Sequence, residues 1–137
     1  MMKRYLDKIF VIVFLLVSVA IIASDLISKS GDSNTIKKRT IKQLSTNELI
    51  FEYKNNSLGK FIEKAIEVDG VLKEIMYKNN VYTLYLTDGH NNTYILCELQ
   101  NDQAKKIPNL LVGDKVKIKG ILKGHLMDVI LLNCIIL

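Results

Sequence analysis

The sequence predicts an all-β domain with small helices, a five-stranded barrel preceded by a short helix, carried behind an N-terminal transmembrane helix. Three observations lead there: an uncharged apolar run near the start, a switch from helical to alternating periodicity near Ile66, and turn signals that divide the rest into five strand-length segments. At 137 residues, with one proline and 24% charged side chains, the chain holds one ordinary domain and a little more, which excludes a multidomain enzyme or a disordered tail. Cys97 and Cys134 are the only cysteines, too few for a disulfide scaffold or a four-cysteine zinc site.

The apolar run is Ile9–Ala23, preceded by Lys3, Arg4 and Lys8. Extended to Ile27 it reaches roughly 28 Å as a helix, close to a hydrocarbon core of about 30 Å. Residues 1–8 thus read as a basic tail and 9–27 as a transmembrane anchor or uncleaved signal. The rival reading is a cleaved signal peptide, since a basic start before an apolar region fits that pattern too. The flanking lysines and arginines compete in setting orientation, and the short leading segment favours the N-terminus inside, with the domain outside the cytoplasm. Residues 28–44 are polar and basic, with Lys37-Lys38-Arg39 at their centre, and read as a solvated stalk.

Charge divides sharply along the chain. The formal net charge of +5 invites a nucleic-acid partner, but residues 1–44 hold 8 basic and 3 acidic side chains and residues 45–137 hold 11 of each. The globular part, 45–137, is therefore neutral.

Ser45-Thr46-Asn47-Glu48 matches a capping box, and Leu49, Ile50 and Tyr53 follow at helical spacing, giving the short leading helix. The first strand spans about Ala65 to Tyr77, with Gly70 placed for a bulge or sharp bend. Val81–Thr87 and Thr93–Leu99 follow, joined across Asp88-Gly89-His90-Asn91-Asn92. Gln100–Leu111 reads as a short helix or irregular connection. After Gly113-Asp114, Lys115-Val116-Lys117-Ile118-Lys119 alternates as a half-buried strand with its lysines in water, a solubilising edge. A turn at Lys123-Gly124-His125 leads to the last strand, Leu126 to Ile136. Three strands, a helical connection and a closing hairpin follow the order of an OB barrel. An open antiparallel sheet packed on the leading helix is the competing architecture.

Particular residues carry a family likeness. Glu48-Leu49, Tyr53, Asn56, Ala65-Ile66-Glu67-Val68-Asp69-Gly70-Val71, Ile95-Leu96-Cys97, Gly113-Asp114-Lys115-Val116-Lys117-Ile118-Lys119-Gly120 and Leu132-Asn133-Cys134 together resemble the tRNA-anti-like family of bacterial OB-fold proteins. The resemblance covers nearly all of residues 45–137. It implies a small exported or envelope-attached protein, many members carrying lipoprotein signals, with no assigned activity. This chain has no cysteine before Cys97, so the expected attachment is the apolar segment and its lipid contacts.

On an OB barrel, ligands commonly meet strands two and three and the adjoining loops. If Leu84, Leu86, Ile95 and Cys97 point inward, alternation turns Thr83, Tyr85, Thr87, Tyr94, Leu96 and Glu98 outward. Of these, Thr83, Tyr85, Tyr94, Leu96 and Glu98 are the candidate ligand face, and the tyrosines suit stacking on bases or sugars as well as simple cross-strand pairing. Glu98 and the neutral domain disfavour a nucleic acid, whose binding depends on Lys and Arg. The expected partner is an unidentified protein or small ligand; the alternatives are a nucleic acid bound with the help of the basic stalk and, second, a small envelope hydrolase. Cys97 and Cys134 fall on neighbouring strands, as two buried thiols or as a disulfide in an oxidising compartment. His90 and His125 fall in turns outside any catalytic or metal-binding constellation, and no nucleophile elbow or phosphate loop occurs, so neither catalysis nor a cofactor or metal is expected.

Overall fold

The structure, a computed structural model, describes residues 2–14, 35–90 and 92–137. They fall into two compact units, Met1–Ser33 and Asn34–Leu137. In the first, residues 2–14 form a helix, α1, with its side chains exposed. Among the described residues no helix is long and apolar enough to cross a membrane. Most of the apolar run Ile9–Ala23, and with it the anchor expected over 9–27, lies outside them.

The second unit is built from β1 (Lys42–Ser45), α2 (Thr46–Lys54), β2 (Ala65–Lys78), β3 (Val81–Thr87), β4 (Ile95–Leu99), β5 (Lys115–His125) and β6 (Val129–Ile136). Short 3-10 helices occupy Thr35–Lys37, Leu58–Phe61 and Asn101–Asn109. The strands run β2-β3-β4-β6-β5, and β5 pairs back onto β2, so the sheet closes into a five-stranded barrel and the open-sheet alternative is overturned. Closure rests on β2, whose 14 residues serve two neighbours: Ala65–Val71 pair with β5 and Val71–Lys78 with β3. Gly70 sits at that handover, where an added Cβ would overlap Thr46 Oγ1, the hydroxyl that donates to Asp69 O at 2.9 Å. The bulge itself lies at Lys73, between Leu72 and Glu74. Inside, Leu72, Leu84, Leu86, Ile95, Ile118 and Leu131 are almost wholly buried, as the alternation of their strands requires.

The capping box forms as expected: Glu48 N donates to Ser45 Oγ at 3.2 Å, and Ser45 N donates to Glu48 Oε2 at 2.7 Å. The Ser45 backbone N–H, with its hydroxyl second, holds the exposed Glu48 carboxyl below its ordinary range. Contacts of that kind support the helix above the ordinary carboxylate pKa and weaken as pH falls through the lowered one.

Three expectations are corrected. Part of the segment read as stalk belongs to the barrel unit: Thr35 is buried, Ile41 N donates to Ala65 O at 3.0 Å, and Lys42–Ser45 pairs parallel to Ile66–Asp69 as β1. A polar four-residue strand with one buried apolar residue, Leu44, carries too little alternation to stand out in the sequence. Next, the lysine-bearing strand is no edge, since β5 has β2 on one side and β6 on the other. Lys119, expected in water, is 7% exposed; its Nζ donates to Ile36 O at 3.3 Å and to Lys38 O, pinning residues 36–38 to the barrel. Lastly, β5 continues through Lys123-Gly124-His125, where Gly124, at φ 147°, absorbs a register shift and no turn forms. The hairpin turn is Leu126-Met127-Asp128, whose two large apolar residues read as strand in the sequence.

Candidate ligand face and thiol pair

Strand geometry places the five candidate residues on the outside of the barrel, over β3, β4 and the residue just before β4. Thr83 lies opposite Glu98, and Tyr85 opposite Leu96; across the other edge of β3, Met76 faces Thr83 and Glu74 faces Tyr85. Thr83, Tyr85, Tyr94 and Leu96 are partly exposed and Glu98 is exposed. The Tyr85 and Tyr94 rings meet edge to face, centroids 6.4 Å apart at 73°, and the Tyr85 hydroxyl lies 3.8 Å from Met76 Sδ. Such a pair stiffens the sheet while leaving ring surface for a ligand. Tyr94 falls just before β4, and Asp128 holds it there: Tyr94 N donates to Asp128 Oδ1 at 2.8 Å, and Val129 N to Tyr94 O at 3.1 Å. That clamp sets the Leu126-Met127 tip, 82% and 84% exposed, beside the face. The sequence reading missed Glu74, Met76 and the tip; knowing the β2–β3 register would have supplied the first two.

Electrostatically β3 and β4 bring no cation to the face; the nearest by register is Lys78 of β2, opposite Val81 and on the same side as Met76 and Glu74. The strands β3, β4 and β6 contain no lysine or arginine, and their one charged residue is Glu98. Among the described residues neither Glu74 nor Glu98 has an ion-pair partner. The barrel unit's lysines lie elsewhere, on β1, α2, β2 and β5, in the 3-10 segments and in the connections beside them. A second groove, of 590 Å³, opens where β1 ends and β2 bends. There Lys117 and Asp69, 3.7 Å apart, mix both signs of charge, and the start of α2 is already served by its capping box.

Cys97 and Cys134 are both free and buried. Alternation along β6 would turn residue 134 outward from residue 131; the left-handed Asn133, at φ 51°, and the register shift between β4 and β6 return Cys134 to the interior. There it meets Cys97 within hydrogen-bonding reach, and burial, reinforced by Cys97 and then by Glu98, pushes its thiol well above the ordinary range. A thiol so held is protonated and unreactive at neutral pH. Iodoacetamide is expected to label neither cysteine in the native chain and both after denaturation without reductant, read by intact mass; no label after denaturation would reveal a disulfide instead.

His90 lies in the β3–β4 connection, whose Asn91 is outside the described residues; its backbone N donates to Asp88 Oδ1 at 2.9 Å. His125 ends β5 and packs on Tyr53, ring centroids 4.7 Å apart. Among the described residues no group of three or more His, Cys, Asp or Glu side chains is placed to hold a metal ion.

Residues 1–136 match the family model described as tRNA_anti-like. No curated protein matches the chain. Among solved structures, a lipoprotein of Klebsiella pneumoniae named as a candidate nucleic acid-binding protein is similar over 78% of this chain and 98% of its own, at 16% identity and a TM-score of 0.61. An asparaginyl-tRNA synthetase of Pyrococcus horikoshii, complexed with asparaginyl-adenylate, is similar over 74% of this chain and 22% of its own, at 12% identity and a TM-score of 0.47. An OBody bound to hen egg-white lysozyme is similar over 57% and 85%, at 16% identity and a TM-score of 0.46. At these identities the likeness is one of fold.

Proposed function

The chain belongs to the tRNA-anti-like family, and from that premise we propose that it is a membrane-anchored, non-catalytic OB-fold binding module of the bacterial cell envelope. Its partner, a protein or a small ligand, lies on the outer face of β3 and β4, against Thr83, Tyr85, Tyr94, Leu96 and Glu98. The observation that carries this reading is the chemistry of the face: two tyrosines and a leucine in partial exposure, on or beside β3 and β4, two neighbouring strands that lack any lysine or arginine. Nucleic-acid binding draws much of its free energy from neutralised phosphates, which such a surface does not supply. The anchor is the apolar run over 9–27, which also supplies the lipid contact, with the domain outside the cytoplasm; the basic residues before it support that orientation.

A second reading, a nucleic-acid binder that uses the basic segment Lys37-Lys38-Arg39, draws on the name of the Klebsiella lipoprotein. Site-specific photocrosslinking separates the two. With a photoreactive residue in place of Leu96 in the full chain, irradiated membranes are expected to yield a discrete adduct that survives nuclease, and no such adduct when the residue replaces Lys105. Adducts that nuclease removes would favour the second reading and contradict the first.

A further inference from the structure

At the end of the barrel where β2 turns into β3, a groove of 370 Å³ opens between that hairpin and the 3-10 segment Asn101–Asn109. Lys78 pairs with Val81, leaving Asn79-Asn80 as a two-residue loop in which both residues have positive φ, 52° and 63°. A loop with both residues in the left-handed region matches the right-handed twist of a hairpin, and asparagine accepts it at low cost. Beneath it Tyr77 and Tyr82 stand opposite each other, ring centroids 4.5 Å apart at 38°, and the Tyr77 hydroxyl donates to Asn80 Oδ1 at 3.3 Å. Tyr77 nevertheless remains 58% exposed. The far wall carries Gln100 and Asn101. Gln100 is fixed by its backbone N, which donates to Cys134 O at 2.9 Å, and by its side chain, which donates to Thr35 Oγ1 at 3.1 Å.

Four amide side chains and two phenols thus surround the groove, and among the described residues no charged one lines it, in a chain of which 24% is charged. Each amide offers both a donor and an acceptor, and the tyrosine rings offer flat apolar faces. Hydroxyl groups that alternate with C–H patches on a compact ring satisfy that set, whereas a phosphate or carboxylate would enter it with no cation for a partner. The volume falls at the small end of the range for ligand sites, enough for a short oligomer of such rings. We propose that this groove is a binding site for a neutral saccharide, with Tyr77 as the stacking platform and Asn80, Gln100 and Asn101 as hydrogen-bonding partners. The site is separate from the β3–β4 face and stands independently of the function assigned to it.

The test is a titration of the full chain, held in a detergent without a sugar headgroup, with maltotriose, cellotriose and chitotriose, and with uridine and UMP for comparison. The chain has no tryptophan and two of its six tyrosines line the groove, so a change in intrinsic tyrosine fluorescence registers binding, and the side-chain amide signals of Asn and Gln in nitrogen-15 NMR spectra locate the contact. Saturable binding of at least one trisaccharide is expected. Tyr77→Ala should weaken it about 10-fold or more, Tyr77→Phe should leave it within about 3-fold, and a Tyr85→Ala/Tyr94→Ala variant should leave it unchanged. Asn101→Ala, in the exposed 3-10 segment, weakens binding as well and serves if Tyr77→Ala disturbs the hairpin. The proposal is overturned if no trisaccharide binds, if binding survives both Tyr77→Ala and Asn101→Ala, or if uridine and UMP bind in place of the saccharides.

Discussion

Replacing Gly120 by alanine is expected to destabilise the barrel by about 3 kcal/mol, at the upper end of what one added methyl costs in a packed interior. An ideal Cβ at this position falls 2.5 Å from Cys134 Sγ and 3.2 Å from two atoms of Leu131. Both neighbours are almost wholly buried and held on β6, so neither has solvent to move into. The clash is with one sulfur above all, which makes the prediction sharper than a loss of stability. Cys134→Ala alone removes a buried atom and should cost about 1 to 2 kcal/mol. Combined with Gly120→Ala it vacates the space that the new methyl needs, so the double variant should be more stable than Gly120→Ala alone, a clear non-additivity. Chemical denaturation of the four species of this cycle measures it, and additive losses would show that the Gly120–Cys134 contact does not govern packing there.

Lys119→Ala is expected to cost about 3 kcal/mol and to loosen the segment before β1 selectively. Its ammonium donates to two backbone oxygens, Ile36 O and Lys38 O, and its stem lies buried along β5. A hydrogen bond to a charged group contributes roughly 1.5 to 3 kcal/mol; Ile36 is exposed and Lys38 half-buried, so water takes up part of what the two bonds supply, and the buried stem adds packing. Lys119→Met keeps most of the stem and loses the donors, so its cost should fall below that of Lys119→Ala. Hydrogen exchange at the Ile41 amide, bonded to Ala65 O, should accelerate in both variants while the amides of β3 stay protected. Unchanged exchange at Ile41 would contradict the role given to Lys119 as the residue that fastens this segment.

Lys119 also marks a limit of what the sequence makes legible. Alternation in Val81–Thr87 and Ile95–Leu99 was strong enough to sort Leu84, Leu86, Ile95 and Cys97 inward and Tyr85, Leu96 and Glu98 outward, because each strand has one face in the core and one in water. The capping box at Ser45 was equally readable, its signal being local. Alternation puts Lys119 in water because it specifies a side of the sheet without telling what covers that side, and the cover comes from residues 36–38, distant in the chain. Gly124 misled for a related reason: a positive φ serves a bulge within a strand as well as a turn between strands. The groove beside Tyr77 was invisible for want of any motif, since its two walls are brought together only by barrel closure.

The central claim is that the β3–β4 face serves a partner other than nucleic acid, and its most direct test is a salt-dependent titration of a labelled single-stranded oligonucleotide with the full chain, read by fluorescence anisotropy. Any binding is expected to come from the basic segment Lys37-Lys38-Arg39, to fall steeply between about 50 and about 200 mM salt, and to be the same in the Tyr85→Ala/Tyr94→Ala variant. Binding that persists at the higher salt and disappears in that variant would place bases on the tyrosines and contradict the claim.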